Sequence, residues 1–228
     1  MTTDELQVVL LSLRVAGLAV LVSIVPAFAI ARFLARGSSL LRTIVQGLVM
    51  LPLVVPPVVT GWILLEGLGR SSVVGHAWHS LTGSHIAYTT SACVVAAGVV
   101  GFPLLVEGIR LSLLAVDARL EDVSRSLGRG RIATFTRVTL PLSLPGLLGG
   151  VVLAFARALG EFGATIVLAG NIPGETRQIP LAVFTLLNRP GSGPEVTRLV
   201  LFSIGLSFAA LLGVAALARA QRRKSGRA

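Results

Sequence analysis

The chain has 228 residues, of which 54% are hydrophobic and 13% charged, and its formal net charge is +10. Soluble globular domains carry about 25% charged residues, so this charge density excludes an ordinary soluble globule. Several apolar runs reach the roughly 20 residues that a helix needs to cross a hydrocarbon core of about 30 Å. Backbone amides in lipid need internal partners, and the sequence lacks the apolar-polar alternation of a membrane barrel. The composition therefore predicts an all-α membrane protein.

Five apolar segments are long enough to be predicted as membrane spans. In chain order they cover residues 8–31, 43–68, 86–106, 142–162 and 199–218. The second is predicted to be broken by Pro52, Pro56 and Pro57, because proline frees backbone groups of a helix. The kink expected at Pro56-Pro57 fits either a pathway lining or simple helix packing. Pro103 stands near the predicted end of the third span.

The segment 163–190 is predicted to be re-entrant or interfacial. It begins with apolar residues and turns at Asn171-Ile172-Pro173-Gly174. The apolar piece that follows, Ile179 to Leu187, is too short to span a membrane and stops at Pro190-Gly191.

Basic residues alternate between the two sides of this five-span arrangement. One side carries Arg32, Arg36, Arg42, Arg110, Arg119, Arg125, Arg129, Arg131, Arg137, Arg219, Arg222, Arg223, Lys224 and Arg227, and the other carries Arg70, Arg177, Arg189 and Arg198. The positive-inside rule then places the N-terminus outside and the C-terminus in the cytoplasm. A sixth span would instead place the arginine-rich C-terminal tail outside, which the rule disfavours. Because Asp4 and Glu5 precede the first span, no cleaved signal peptide is expected. The charge is attributed to topology and to anionic lipid, with no role for nucleic acid.

Residues suited to catalysis or to metal binding are scarce in the sequence. No phosphate-binding loop occurs, and Lys224 lies in the tail, so another chain would hydrolyse any ATP. His76, His79 and His85 share one loop without a cysteine or carboxylate close by, which favours solvated histidines over a metal site. Cys93 is expected to be an inert buried thiol. Since the spans supply no catalytic cluster, an intramembrane enzyme is disfavoured. We expect no catalytic, cofactor-binding or metal-binding residue.

The loop 110–138 contains a short predicted amphipathic helix. Asp117 can cap its start and Gly128 can end it. Its apolar positions recur at helical spacing: Leu120, Val123 and Leu127. Such a helix would lie along the membrane surface, where it could insert into a groove of a partner or be held on lipid by arginines.

Arg157 and Glu161 form a charged pair near the end of the fourth predicted span. They are four residues apart, which would place them on one helix face. Each charge at membrane depth costs about 2.5–3.5 kcal/mol on insertion scales, and pairing lowers that cost. A structural ion pair is favoured here over a pathway or gate residue.

The loop 110–138 resembles the coupling loop in permeases of the binding-protein-dependent ABC importers. Their motif is Glu-Ala-Ala, three residues, Gly, nine residues and Ile-x-Leu-Pro. In this sequence Asp122-Val123-Ser124 takes the first positions, Gly128 the glycine, and Val138, Leu140 and Pro141 the end, all at the family's spacing. The resemblance implies a single type I ABC importer transmembrane domain over 1–228, with about five transmembrane helices and a cytoplasmic coupling helix. The residues implied to couple to the ATPase are Glu121, Asp122, Val123, Ser124, Leu127 and Gly128.

The fourth span and the segment after it resemble molybdate permeases in particular. The stretches that carry this resemblance are 154–166, 169–177 and 179–181, with 51–59 in the second span. Sulfate permeases share the Leu-Gly-Glu-Phe-Gly core at 159–163 but diverge after it. The resemblance implies a bacterial inner-membrane permease for molybdate and tungstate. It would form a homodimer with two ATPase subunits, which bind ATP and Mg²⁺, and an external molybdate-binding protein. The chain itself would hold no cofactor.

Two alternative functions remain open at this point. The first is an ABC permease for sulfate, thiosulfate or another oxyanion, and the segment 164–180 is the feature that discriminates. The second is an ion-driven secondary transporter or channel. Such proteins often show inverted repeats or a lone ionisable group in a span, and the sequence shows no internal repeat.

Overall fold

The computed structural model describes residues 2–37 and 39–225 as helices joined by short turns; Arg227 lies outside them. In chain order the elements are α1 (Thr3–Leu34), α2 (Leu40–Val54), α3 (Pro57–Leu68), α4 (Val73–Thr82), α5 (Thr90–Leu114), α6 (Ala118–Ser126), α7 (Arg131–Thr134), a π-helical turn (Phe135–Thr139), α8 (Leu140–Leu159), α9 (Gly163–Leu168), α10 (Ile179–Leu187) and α11 (Gly193–Ser225).

Within residues 2–37 and 39–225, four helical stretches are long and apolar enough to cross a membrane. They are Thr3–Leu34, Thr90–Leu114, Arg131–Leu159 and Gly193–Gly213. The third of these runs from α7 through the π-helical turn to the end of α8. The helices α2 and α3 pass the same test only as a pair, and they meet at an angle of 114°. The prediction of an all-α protein with about five spans is therefore confirmed.

The second predicted span differs from a kinked helix. The chain leaves α2 at Val55, whose ψ of 136° is extended, and Pro57 begins α3, where its missing N–H costs little. Pro52 stays inside α2, so the prediction that it breaks the helix was wrong: one lost hydrogen bond does not interrupt the turns around it. The break at Pro56-Pro57 is present, but as a sharp bend between two helices.

The third and fourth predicted spans are shifted along the chain. The helix α5 begins at Thr90 instead of residue 86, because Tyr88 has a φ of 63°, which a right-handed helix does not allow. It continues past Pro103 to Leu114. The helix α8 ends at Leu159, and Glu161 lies after it. The prediction that Arg157 and Glu161 share one helix face was therefore wrong.

Small residues set the distance between α5 and α8, which pack together with α1 at the centre of the bundle. A Cβ atom added to Gly108 would lie 2.5 Å from the Cα of Gly150, and one added to Gly146 would lie 2.5 Å from the Cβ of Ser112. Ser112 Oγ also donates to the Ser143 carbonyl at 2.6 Å. Close backbone approach through small residues is typical of membrane helix pairs.

Gly108→Ala is expected to force α5 and α8 apart, because backbone atoms of Gly150 cannot move aside for the new methyl group. Overpacking of this kind costs about 1–3 kcal/mol, which we expect to see as a lower melting temperature of the detergent-purified protein. The matched control is Gly149→Ala, whose added Cβ meets nothing within 4 Å. It should melt at or above the wild-type temperature, since alanine favours a helix. Equal melting temperatures for the two variants would contradict the packing argument.

The segment 163–190 folds into the bundle as the two short helices α9 and α10. The helix α9 packs on α3 at close range: a Cβ on Gly61 would lie 2.8 Å from the Cα of Ala164. The helix α10 packs between α11 and α1, where Ser12 Oγ accepts from the Ile179 N–H at 2.9 Å. Leu168 and Leu181 are fully buried. Only part of this segment is packed inside the protein, since Ile172 and Leu187 are exposed. Its two helices are six and nine residues long.

Candidate coupling and pathway sites

The helix α6 has both of the ends that the sequence predicts. The carboxylate of Asp117 accepts from the Arg119 N–H at 2.9 Å, so it caps the first turn. Gly128 has a φ of 80° just after the last turn, and its N–H donates to the Arg125 carbonyl at 2.9 Å. A left-handed glycine is a common helix stop. Local sequence alone therefore determines where this helix starts and ends.

One face of α6 is fastened to the protein's own fold. Ser124 is buried, and its hydroxyl lies 3.1 Å from that of Thr134 in α7. The carboxylate of Glu121 accepts from the hydroxyl of Thr139, at the end of the π-helical turn, and pairs with Arg125 at 3.0 Å. These contacts attach α6 to the base of α8.

The adjoining face of α6 exposes apolar side chains. Leu120, Val123 and Leu127 are 48%, 58% and 75% exposed, and Ile132 at the start of α7 is 81% exposed. The Asp122 side chain is also largely exposed. Of the residues implied to couple to an ATPase, Asp122, Val123 and Leu127 are thus open to a partner, whereas Glu121 and Ser124 face inward. Leu140 and Pro141 begin α8 directly after the π-helical turn.

Arg157 and Glu161 form an ion pair between α8 and α9. Arg157 Nη1 lies 2.8 Å from Glu161 Oε2, and Glu161 is only 1% exposed. The other carboxylate oxygen, Oε1, accepts from the Ala164 N–H in the first turn of α9 at 2.8 Å. Both carboxylate oxygens therefore have partners within the protein, as expected for a structural ion pair.

A cleft of about 400 Å³ opens where the start of α1 meets α10 and α11. Arg177 lines it and donates through Nε to Asn171 Oδ1 at 2.9 Å. At its edge Glu5 in α1 pairs with Arg198 in α11 at 2.8 Å. Sequence reasoning missed this cleft, because the paired residues are 193 positions apart and no local pattern joins them.

The three histidines lie in and after α4, as a local cluster. The rings of His79 and His85 stack with centroids 4.4 Å apart. Burial, followed by the nearby charge of Arg70, lowers the pKa of His85. Among the described residues, no group of three or more His, Cys, Asp or Glu side chains is placed to hold a metal ion.

The chain is similar over its whole length to permeases from several bacteria. It is 46% identical over 227 residues to the molybdenum transport system permease protein ModB of Escherichia coli, covering 100% of this chain and 99% of that protein. It is 42% identical over 222 residues to the protein of the same name from Haemophilus influenzae, covering 97% of each. The resemblance to molybdate permeases is thereby confirmed.

Solved structures of ABC transporters share the fold. The chain superposes on the MetNI methionine ABC transporter with a TM-score of 0.67 and 16% identity, covering 95% of this chain and 99% of that chain. For the bacterial alginate ABC transporter in complex with an alginate pentasaccharide-bound periplasmic protein, the TM-score is 0.71 and the identity 16%, covering 96% and 80%. The predicted fold of a type I ABC importer transmembrane domain is confirmed.

A sequence profile gives the family itself. The profile described as binding-protein-dependent transport system inner membrane component matches residues 19–223, which is most of the chain. Proteins of this kind are multi-pass membrane subunits of ABC transporters, and the ATPase activity of those transporters lies in a partner subunit. The chain therefore belongs to the family of binding-protein-dependent transport system inner membrane components.

Proposed function

We propose that this chain is the permease subunit of an ATP-driven importer that carries molybdate, and tungstate with it, across the cytoplasmic membrane. The observation that carries the proposal is full-length similarity of 46% and 42% to two permeases named for molybdenum transport. Sulfate, thiosulfate and other oxyanions are the less favoured substrates, since the resemblance of the segment after Gly163 is to molybdate permeases.

The proposed assembly has two copies of this chain around the pathway. Two ATPase subunits, which bind ATP and Mg²⁺, dock on the exposed apolar face of α6, and an external molybdate-binding protein delivers the anion. Closure of the ATPases would turn the permease pair from inward-facing to outward-facing. Support comes from the uncovered side chains of Val123 and Leu127 and from the solved relative that was crystallised with a periplasmic protein.

The proposed orientation puts the N-terminus outside and α6 in the cytoplasm. The helix α1 has 32 residues and is therefore about 48 Å long. Its start is tied to the start of α11 by the Glu5–Arg198 pair. Its last turns lie by the π-helical turn, where the Arg32 guanidinium sits 4.3 Å from the Phe135 ring centroid. The two ends of α1 thus mark the two faces of the protein, and the arginine-rich loops lie at the α6 end, which the positive-inside rule assigns to the cytoplasm.

Uptake in proteoliposomes tests the proposal. The chain would be reconstituted with an ABC ATPase and a molybdate-binding protein from the same organism, and uptake of labelled molybdate and labelled sulfate would be compared. We expect ATP-dependent molybdate uptake that tungstate blocks and excess sulfate does not. Sulfate uptake with little molybdate uptake would overturn the substrate but keep the permease. An assembled complex that imports neither anion would overturn the proposed function.

A further inference from the structure

Glu121 and Asp122 are neighbours on α6 but lie in opposite surroundings. The side chain of Asp122 is 73% exposed, whereas that of Glu121 is 29% exposed. Glu121 Oε1 accepts from the hydroxyl of Thr139 at 2.5 Å, and Oε2 pairs with Arg125. Thr139 is buried and lies 18 positions after Glu121 in the sequence. Glu121 is therefore directed at the base of α8 and away from the face open to a partner.

Thr139 ends the π-helical turn, the irregular joint in the 29-residue helical stretch Arg131–Leu159. Short π-helical turns within α-helices are uncommon and occur frequently at functional sites. This turn is held from two sides. On one side its Phe135 ring packs edge-on against Phe28 of α1, with centroids 5.7 Å apart. On the other side, α6 holds it through Glu121.

The other end of α8 is also linked to its neighbour. Glu161 pairs with Arg157 of α8 and accepts from the first turn of α9. The helix α9 in turn packs on α3, the second arm of the bent span. A continuous series of contacts therefore runs from α6, through the whole length of α8, to the α3–α9 pair.

We propose that Glu121 is a positioning residue whose hydrogen bond to Thr139 makes α6 and α8 move together, so that displacement of α6 by a docked ATPase displaces α8. The inference rests on the proposed function, because it needs a partner that moves α6. Without this bond the π-helical turn is the point at which α6 and α8 separate. ATP would then be hydrolysed with little movement of the pathway helices.

The test compares Thr139→Val, which has nearly the same volume but no hydroxyl, with Thr139→Ser, which keeps the hydroxyl. Both would be assayed in proteoliposomes of the complete complex, for ATP hydrolysed and for molybdate imported. We expect Thr139→Val to import up to about tenfold less anion per ATP, the factor that corresponds to the loss of one buried hydrogen bond, while hydrolysing ATP at about the wild-type rate. Thr139→Ser should match the wild type. Glu121→Ala should uncouple as Thr139→Val does, and Glu121→Gln, which keeps an acceptor oxygen, should retain coupling.

Thr136→Val is the matched control, because Thr136 lies in the same π-helical turn but its hydroxyl donates to the Ile132 carbonyl of its own helix. It should leave the ATP used per anion unchanged. The double variant Glu121→Ala/Thr139→Val should be no worse than Glu121→Ala alone, since both changes remove the same Glu121–Thr139 hydrogen bond. The proposal is overturned if Thr139→Val keeps wild-type coupling, or if Glu121→Ala loses the ATPase from the purified complex while Thr139→Val does not. Absence of uptake by the wild-type complex would instead count against the proposed function.

Discussion

Replacing Glu161 with alanine is expected to destabilise the permease by about 1–3 kcal/mol, the usual cost of leaving a buried polar group without its partner. The Arg157 side chain is 29% exposed, so the charge left behind is partly screened. Glu161 is 1% exposed; one of its carboxylate oxygens pairs with Arg157, and the other accepts from the Ala164 N–H. The alanine variant leaves a guanidinium and a buried backbone donor without their partner. We expect a lower melting temperature of the purified protein and a smaller amount of the protein in the membrane.

The double variant Arg157→Met/Glu161→Gln distinguishes a structural pair from a pathway residue. It removes both charges and keeps an acceptor for Ala164, so it should recover most of the stability that Glu161→Ala loses. Glu107→Ala is a suitable control, because Glu107 pairs with Arg110 within one helix and both are partly exposed; we expect a loss below about 1 kcal/mol. A Glu161→Ala protein that melts like the wild type but fails to import would show that Glu161 acts in the pathway.

The helix α6 was predictable from sequence because its determinants are local. Asp117 at the start, Gly128 at the end and apolar residues at helical spacing between them each act within a few positions. The helix α10 also begins and ends where an apolar run is bounded by turn residues, at Ile179 and Leu187. The number of spans followed in the same way from length and hydropathy.

The bend between α2 and α3 could be predicted only in part from the local sequence. Pro56-Pro57 gave its position, but the angle of 114° depends on how α3 packs against α9. That contact is possible because Gly61 lets α9 approach so closely that a Cβ would meet the Ala164 backbone at 2.8 Å. Gly61 lies close to the two prolines in the sequence, but its contact residue Ala164 is far from both, so the pattern alone could not relate the bend to this contact.

The polar links of the candidate site were missed for the same reason. Glu121 meets Thr139 across 18 positions, and Glu5 meets Arg198 across 193. The sequence placed Glu161 on a helix with Arg157, whereas α8 ends before it and the carboxylate reaches back to Arg157. The ion pair forms even though Glu161 lies outside α8, because a residue just after a helix end is still within side-chain reach of the last turn.

Leu127→Asp is expected to weaken binding of the partner ATPase by about 100-fold, the effect of losing a central apolar contact worth 2–3 kcal/mol and burying an unpaired carboxylate in its place. Leu127 is 75% exposed at the end of α6, so the change removes little from the permease's own core. The variant should therefore fold and insert normally, and we expect the ATPase to be lost from the detergent-purified complex. Val123→Asp, on the same face and 58% exposed, should act alike.

Leu127→Met is the matched control, because it keeps an apolar side chain of similar volume, and the ATPase should stay bound. The variants of Leu127 and of Glu121 distinguish docking of the ATPase from transmission of its movement to α8. An aspartate on the exposed face should remove the ATPase itself, whereas loss of the inward hydrogen bond at Glu121 should leave it bound and active but without transport. If the Leu127→Asp complex keeps its ATPase and its uptake, the exposed face of α6 is not the docking surface, and the partner must bind the permease elsewhere on its arginine-rich side.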